Sequence, residues 1–383
     1  MKISGEWLEK PGTQAVMAML TDAGHHALAV GGCVRNALLR VPVTDVDIAT
    51  DALPERVMEL ARDAGLKPVP TGIAHGTVTV VSDGEGYEVT TFRHDEETFG
   101  RHARVSFGAT LEQDAARRDF TMNALYADAT GAVVDPLGGL PDLQARRLRF
   151  IRDADARIRE DYLRILRFFR FHAQYGDPEQ GLDPDALAAC ADHADQLGTL
   201  SAERITAELK KLLAAPDPAP SVAAMAQAGV LRQVLPGAQA QALPVLVHLE
   251  DGKPGGFLRR LSVVTDRVDT LRLSKAEARD FDKLRAAFSG MDSPAALGWT
   301  LGLRLGTDAL LGRAALLEMP PAPDWRAEVM RGAQADFPLK PKDLMPMLMG
   351  PALGLALTRA QTHWLERDLQ PTRDDLLALL GLA

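Results

Sequence analysis

Two adjacent glycines followed by an Asp-Val-Asp triplet constrain the fold of this chain more than any other feature. The apolar segment HALAV leads into Gly31 and Gly32, a short helical pattern VRNALL follows, and the next strand-like segment carries Asp45 and Asp47. Glycine lets the backbone approach a phosphate closely, and the amides at the start of a helix favour an anion. We therefore predict a strand, a phosphate-binding turn, a short helix and a second strand.

Asp45 and Asp47 are predicted to share one face of the second strand, because residues two apart in a strand point the same way. Val46 and Ile48 then face the core. Two carboxylates this close repel each other unless a cation lies between them, and Mg²⁺ binds carboxylates together with substrate phosphates. Taken singly, the acids could be a solvated strand end and the glycines an ordinary turn. Their combination at successive strand ends favours a Mg²⁺ site.

The composition indicates two or three domains in a reducing compartment. The 383 residues contain only two cysteines, Cys33 and Cys190, far apart and without the spacing of a zinc site or disulfide framework. No apolar run reaches membrane-spanning length and the first residues lack an apolar signal core, so we expect a cytoplasmic protein without a membrane partner. The net charge of −9 argues against an overall basic surface but permits a local basic groove.

The order of elements predicts an α+β fold class, a mixed sheet with helices followed by an all-α remainder. Strand-like and helix-like segments alternate over residues 1–150 and include the hairpin pattern GTVTVVSDGEGYEVTTFR. From about Asp153 onward nearly every segment is typical of a helix, rich in Ala and Leu and interrupted by Pro and Gly.

Glu88 lies on the second strand of that hairpin. Alternation places it on one face with Thr90, and Val89 on the other. A third carboxylate beside the acidic pair could hold a metal ion or accept the proton of an attacking hydroxyl. The alternative is an ordinary exposed strand glutamate.

The segment RRDFTMNALYAD begins with charged residues and then becomes apolar. Arg118 suits phosphate oxygens, because a guanidinium donates two parallel hydrogen bonds. Asn123, in what reads as an apolar helix, is a buried polar group that needs a partner, either a sugar hydroxyl or a backbone carbonyl. Solvated charges at a helix start are the alternative for the arginines.

The segment REDYLRILRFFRF predicts one helix in which Asp161, Arg164 and Arg167 form a stripe, because they are spaced by three. A carboxylate only accepts hydrogen bonds and a guanidinium only donates them. An Asp161–Arg164 pair therefore matches the pairing edges of cytosine and adenine, which offer an amino donor beside an acceptor. Uracil and guanine do not match this pair, and such a mismatch can lower the efficiency with which a substrate is used by a factor of roughly 10⁴. The alternative is a salt bridge within the helix.

Arginines are concentrated directly after the alternating region. From Arg146 to Arg170, nine arginines accompany four acidic residues, a local excess of +5 in an acidic chain. A solvated face is one interpretation; a groove for a triphosphate or an RNA end is the one we favour.

Together these motifs resemble the class II tRNA nucleotidyltransferase and poly(A) polymerase family, whose head is similar to that of DNA polymerase β. The resemblance covers about residues 26–215 and also includes HGTVTV, DPLGGLPDL and AERITAEL. It implies a head at 1–150, a helical base-reading neck at 151–220, and a helical body and tail at 221–383 that binds tRNA.

The resemblance implies a role for each motif residue. It implies that Asp45 and Asp47 bind Mg²⁺ and that Glu88 supplies a third carboxylate. It implies that Gly32, Arg35 and Arg118 contact the triphosphate or the sugar. It also implies that Asp161 and Arg164 act as a protein template for CTP and ATP, with Arg167 and Arg170 in contact with the triphosphate. Two departures are Asn36, where the family usually has Asp, and Arg40, where Gly is common.

The resemblance implies template-independent addition of C, C and A to the 3′ end of tRNA from CTP and ATP, with release of pyrophosphate. The long polar segment after Arg93, which looks like the flexible loop of full CCA-adding enzymes, and the strand TGIAHGTVTV favour this activity. A poly(A) polymerase or A-adding enzyme of the same family is the nearest alternative. A non-catalytic RNA-binding protein that has kept the fold is the alternative from another class.

Overall fold

A computed structural model of the chain describes residues 1–99, 102–252 and 256–382. These residues form two compact units, Met1–Leu200 and Ser201–Ala383. The boundary at 200 falls inside the predicted neck, since the helices that immediately follow residue 150 pack within the first unit. The finer division at 150 and 220 stays a prediction.

A seven-stranded mixed sheet organises the first unit, with strand order β3-β4-β5-β2-β1-β8-β9. Strands β2 and β5 pair in parallel, and the other neighbours are antiparallel. Two further strands, β6 and β7, form a separate sheet. The strands are β1 (Leu28–Val30), β2 (Asp47–Thr50), β3 (Lys67–Gly72), β4 (Thr77–Ser82), β5 (Glu85–Thr91), β6 (Arg93–Phe99), β7 (His102–Phe107), β8 (Tyr126–Ala127) and β9 (Val133–Val134).

The predicted hairpin is confirmed as β4 and β5. Asp83 and Gly84 connect the two strands and both have positive φ, 51° and 79°. Two consecutive residues with positive φ make a turn whose twist matches that of the flanking strands. This turn fixes the register of β5, and therefore the position of Glu88.

Helices cover the sheet and lead away from it. One core cluster includes Leu20, Ile48, Val57 and Val89, so the apolar faces of the helices Pro11–Thr21 and Pro54–Asp63 pack on the same side of the sheet. The helices are α1 (Glu6–Glu9), α2 (Pro11–Thr21), α3 (Gly32–Leu39), α4 (Pro54–Asp63), α5 (Leu111–Ala116), α6 (Leu140–Gln144), α7 (Ala154–Glu160), α8 (Leu163–Tyr175) and α9 (Pro184–Asp192), with short 3₁₀ turns at Ile73–His75, Thr121–Asn123 and Ala194–Thr199.

The polar segment after Arg93 differs from the predicted loop. It forms the antiparallel pair β6 and β7, followed by α5, which begins with a reciprocal capping arrangement between Thr110 and Gln113. Residues 100–101 of this segment lie outside the described residues. The Thr, Phe and Val residues of this segment favour a strand even where the sequence is rich in charge.

The second unit is helical throughout its described residues, as predicted. Its helices are α10 (Ala202–Leu213), α11 (Ala219–Gln227), α12 (Val230–Val234), α13 (Ala242–Leu249), α14 (Phe257–Val264), α15 (Lys275–Phe288), α16 (Pro294–Leu316), α17 (Trp325–Gln334), α18 (Pro341–Leu344), α19 (Gly350–Glu366) and α20 (Arg373–Leu379). The fully buried Arg260 is paired with Glu250 at 2.6 Å. Within the described residues, none of the helices has the length and apolar character needed to cross a membrane.

Candidate active site

The parallel pairing of β2 and β5 places two of the predicted acids side by side. Asp47 is the register partner of Glu88, and Ile48 is the partner of Val89. Asp47 and Glu88 are exposed at the surface, whereas Ile48 and Val89 are fully buried. The predicted alternation is confirmed around Glu88 in β5 and, in β2, for Asp47 and Ile48, and the two carboxylates project from the same side of the sheet.

Asp45 does not lie on the strand, because β2 begins only at Asp47. Its carboxylate accepts a hydrogen bond from the Thr44 hydroxyl at 2.9 Å. Restricted hydration raises the pKa of Asp47 above its ordinary value, Glu88 and then Asp45 raise it further, and Arg118 opposes them. Both other acids therefore act electrostatically on Asp47, although the prediction that Asp45 shares a strand face with Asp47 was wrong.

The donor set of this acidic edge, defined as Asp45, Asp47 and Glu88, fits a hard divalent cation such as Mg²⁺. Among the described residues, however, no three acidic, His or Cys side chains are arranged so that they could hold a metal ion on their own. Mg²⁺ typically takes one or two carboxylates and completes its shell with water and phosphate oxygens. The register-paired Asp47 and Glu88 could supply that number of carboxylates.

The glycine turn lies between β1 and α3. Gly31 precedes the first turn of α3 and has φ 72° and ψ −116°, a conformation that residues with a side chain rarely adopt. A Cβ at Gly31 would lie 3.5 Å from Nη1 of Arg118. Gly32 begins α3. The turn thus brings backbone amides and a guanidinium together, as a phosphate site requires.

Arg35 is buried and held from two directions. Its Nη1 donates to Oδ1 of Asn123 at 2.6 Å, and its Nη2 donates to the Tyr175 hydroxyl at 2.8 Å. The guanidinium also lies over the Tyr175 ring, with its central carbon 4.0 Å from the centroid. Its Nε and Nη2 share Oδ1 of Asn36, the residue that replaces the usual Asp.

Asn123 lies in a 3₁₀ turn rather than in the predicted apolar helix. The prediction was wrong because the apolar run continues into the buried strand β8, and periodicity alone does not separate short buried segments. Its partner is also new. The Asn123 amide donates to Asp119 at 2.9 Å, and Asp119 accepts from Nε and Nη2 of Arg167 at 2.7 and 2.5 Å. A chain of polar contacts therefore joins Arg35 to Arg167.

The predicted stripe of Asp161, Arg164 and Arg167 is interrupted. Helix α7 ends at Glu160, Asp161 is extended with φ −155°, and α8 begins at Leu163. The sequence pattern gave one helix because the charged residues keep their spacing across the break. Arg164 donates to Glu160 at 2.5 Å and to the Arg157 carbonyl at 2.9 Å.

Phe171 on α8 gathers three guanidinium groups. The central carbon of Arg170 lies 4.3 Å from the ring centroid, and those of Arg35 and Arg167 lie at 5.2 Å. Aromatic faces attract cations, so the ring helps to hold like charges close together. Arg167 and Arg170 belong to the arginine-rich segment 146–170, and the use of that segment as a groove for a triphosphate or an RNA end stays a prediction.

Arg118 and Asp114 form the contact that sequence reasoning missed. Arg118 donates to Asp114 at 3.1 Å and to the Tyr126 hydroxyl at 3.1 Å, and Asp114 has no exposed surface. The signal available in the sequence was an acid four residues before Arg118 at the start of a helix. The arrangement can bind a triphosphate next to paired acids, which is the geometry of nucleotidyl transfer.

Comparison with known families gives two matches along the chain. Residues 27–149 match the family described as "Poly A polymerase head domain". Residues 181–241 match the family described as "Probable RNA and SrmB- binding site of polymerase A". The first match spans every residue of the acidic edge and the glycine turn.

Similar proteins cover nearly the whole chain. A CCA-adding enzyme of Geobacillus stearothermophilus is 36% identical over 346 residues, which are 85% of this chain and 83% of the relative. The crystal structure of the Bacillus stearothermophilus CCA-adding enzyme in complex with CTP is 29% identical, with a TM-score of 0.70 and 97% of each chain covered. A Thermotoga maritima CCA-adding enzyme complexed with tRNA has a TM-score of 0.69 at 17% identity, over 100% of this chain and 98% of the other, and shows the shared fold.

Proposed function

This chain belongs to the family of CCA-adding enzymes, and we propose that it completes the 3′ end of tRNA with the residues around the acidic edge. The activity is template-independent addition of C, C and A from CTP and ATP. In each step the terminal 3′ oxygen of the RNA forms a bond to the α-phosphorus of the nucleotide. The bond from that phosphorus to the β-phosphate oxygen breaks, and pyrophosphate leaves.

The acidic edge supplies the centre of the reaction. Asp45 and Asp47 would hold a divalent ion, Mg²⁺ in our proposal, and Glu88 would accept the hydroxyl proton or complete the shell. A bound divalent ion neutralises triphosphate charge and makes the attacking hydroxyl more acidic. Restricted hydration, and then the negative charges of Glu88 and Asp45, raise the pKa of Asp47, and a bound cation would favour its charged form.

The glycine turn and the arginines bind the nucleotide. Gly31 and Gly32 would let backbone amides reach the triphosphate, and Arg35 and Arg118 would bind its oxygens or the sugar. Asn123, held between Arg35 and Asp119, would orient Arg35 toward the sugar.

The junction of α7 and α8 reads the base. Asp161, at the break, would accept the amino hydrogen of cytosine or adenine, and Arg164 would donate to the neighbouring acceptor. Arg167 and Arg170 would lie on the triphosphate side. Because α8 begins after Asp161, the two base-reading side chains belong to different local structures, and the break sets the angle between them.

Residues 151–220 would form the neck that reads the base, and residues 221–383 would form the body and tail that bind tRNA. The two cysteines of the chain, both free and buried, are the support for a cytoplasmic location.

The observation that carries the proposal is the register pairing of Asp47 with Glu88 next to a glycine turn that faces Arg118. The test uses tRNA lacking its CCA end and each nucleotide separately. We expect CMP to be added twice and AMP once, with UTP and GTP poorer by roughly 10⁴-fold. Asp45→Ala should abolish incorporation, and Asp63→Ala, an exposed acid on α4, serves as the matched control.

Two other outcomes would replace the proposal. Long runs of AMP from ATP alone would indicate a poly(A) polymerase. Absence of incorporation by the parent protein, with tight binding of tRNA, would indicate a non-catalytic RNA-binding protein.

A further inference from the structure

Asp114 is a fully buried carboxylate and the last charged residue before Arg117 and Arg118. We propose that Asp114 is a positioning residue, which holds the Arg118 guanidinium so that its free edge faces a triphosphate at the glycine turn. The inference rests on the proposed function, because it requires a nucleotide there. It assigns a role to a residue that makes no contact with the substrate itself.

Three donors share this carboxylate. Oδ1 of Asp114 accepts from Nε of Arg117 at 2.8 Å. Oδ2 accepts from Nη2 of Arg118 at 3.1 Å and from the Tyr126 hydroxyl at 2.8 Å. Burial by itself would raise the pKa of Asp114, but Arg118, Arg117 and Tyr126 lower it below its ordinary value. The group is therefore a fixed negative charge at neutral pH.

The second anchor of Arg118 is the same tyrosine. The Tyr126 hydroxyl donates to Asp114 and accepts from Nε of Arg118 at 3.1 Å. Tyr126 is fully buried in β8, a strand of the central sheet, so its position is rigid. The Nε and Nη2 edge of Arg118 is thus committed to two buried partners.

The other end of the same guanidinium points to the glycine turn. Nη1 of Arg118 lies 3.5 Å from where a Cβ of Gly31 would be. A planar guanidinium that is fixed along one edge presents the opposite nitrogen in a defined direction. Preorganised donors of this kind lower the entropy that ligand binding must cost, so their effect appears in nucleotide affinity.

The segment that carries Arg118 also reaches the base-reading junction. The carbonyl of Arg118 accepts from Nη2 of Arg157 at 2.8 Å, and the carbonyl of Arg117 accepts from Nη2 of Arg164 at 3.3 Å. Asp114 holds both arginine side chains of this segment. The contacts to the junction are made by backbone carbonyls, whereas the Asp114 carboxylate acts on the nucleotide through the Arg118 side chain.

A double-mutant cycle between Asp114→Asn and Arg118→Ala tests this role. The KM values for CTP and ATP and the kcat values are measured with tRNA lacking its end at saturation. We expect each single variant to raise the nucleotide KM by about 10-fold or more, the loss of a hydrogen bond to a charged group, with a smaller change in kcat. The double variant should match Arg118→Ala within about twofold, because Asp114 acts through Arg118.

A merely structural Asp114 would give a different result. Its effect would add to that of Arg118→Ala, and KM for tRNA would change as well; either outcome overturns the inference. If Asp114→Asn does not fold, as judged by circular dichroism, Tyr126→Phe replaces it, since it removes one anchor of Arg118 and keeps the apolar ring. Additivity of Tyr126→Phe with Arg118→Ala then overturns the inference equally. A parent protein that incorporates no nucleotide would instead contradict the proposed function.

Discussion

Asp47 and Asp119 are carboxylates of the same unit, yet their surroundings move their pKa values in opposite directions. Restricted hydration and the acids Glu88 and Asp45 raise the pKa of Asp47. Asp119 is buried, which opposes ionisation, but Arg167 and the amide of Asn123 outweigh this and lower its pKa to about 2. The first acid has neighbours of like charge, and the second has a guanidinium.

The difference separates two uses of one functional group. A carboxylate whose dehydration and like-charged neighbours outweigh the nearby guanidinium is costly to ionise unless a ligand adds positive charge, so such a group indicates a binding function. A buried carboxylate with a bidentate guanidinium is already satisfied and indicates a structural or orienting role. The following expectations would sharpen this contrast or remove it.

The largest effect concerns activity at the acidic edge. Asp47→Ala should reduce CMP and AMP incorporation by at least about 10³-fold, because it removes a carboxylate that stabilises charge in the transition state. Gel-based assays on tRNA lacking its end measure this, with Asp63→Ala as the control. Retention of more than a tenth of the parent rate would show that Asp47 is not needed for catalysis.

The next effect concerns stability at the paired acid. Asp119→Asn should lower the free energy of unfolding by about 3 kcal/mol, because it leaves the Arg167 guanidinium without its buried partner. Urea denaturation followed by circular dichroism measures the change. An Asp63→Asn variant should be within about 0.5 kcal/mol of the parent, as is usual for exposed positions. A loss no larger than that at Asp119 would contradict a structural role.

The pH dependence of stability tests the same acid. In the folded protein the pKa of Asp119 is lowered from 3.8 to about 2. The ionised carboxylate therefore stabilises the fold above the unfolded-state pKa, and this stabilisation is lost as the pH falls through the folded-state pKa. The stability difference between the parent and Asp119→Asn should shrink by about 2 kcal/mol between pH 5 and pH 2. A difference that does not depend on pH would show that the carboxylate is not ionised in the folded protein.

The smallest effect is the change in protein stability when Asp47 is replaced by Asn without a bound metal ion. Because the pKa of Asp47 is raised in the folded protein, its contribution to the free energy of unfolding is present below the unfolded-state pKa and is lost as the pH rises. At neutral pH the charged form therefore slightly destabilises the fold. Because Asp47 is exposed, screening limits the gain from Asp47→Asn to about 0.3 kcal/mol. Thermal unfolding with EDTA measures it. A clear loss of stability would reveal a structural partner of Asp47.

The sequence predicted the elements of the fold better than the details of the site. Strong local signals, such as the turn in the predicted hairpin at Asp83 and Gly84, depend on a few neighbouring residues and were confirmed. The break at Asp161 left no such signal, because it contains neither Gly nor Pro and the spacing of the charged residues continues across it. At the break, the Asp161 carboxylate accepts a hydrogen bond from the backbone N–H of Leu163 at 3.1 Å, as acids that precede a helix commonly do.

The partners of the site residues could not be derived from the pattern. Arg35 meets Tyr175, and Arg167 meets Asp119, across 140 and 48 residues of chain. Contacts of this separation depend on how helix and sheet pack, for which periodicity gives only the buried face. Asp114 was missed for a related reason, because an acid near two arginines usually indicates a solvated helix start.

The register of Ile48 with Val89 has a consequence for evolution of the chain. The pairing of the buried side chains of Ile48 and Val89 sets the spacing between Asp47 and Glu88. A shift of one residue would turn Glu88 toward the interior and bring Val89 to the surface. Selection for accurate chemistry therefore acts on two aliphatic side chains that never meet RNA, and these positions should tolerate change less than their distance from the substrate suggests.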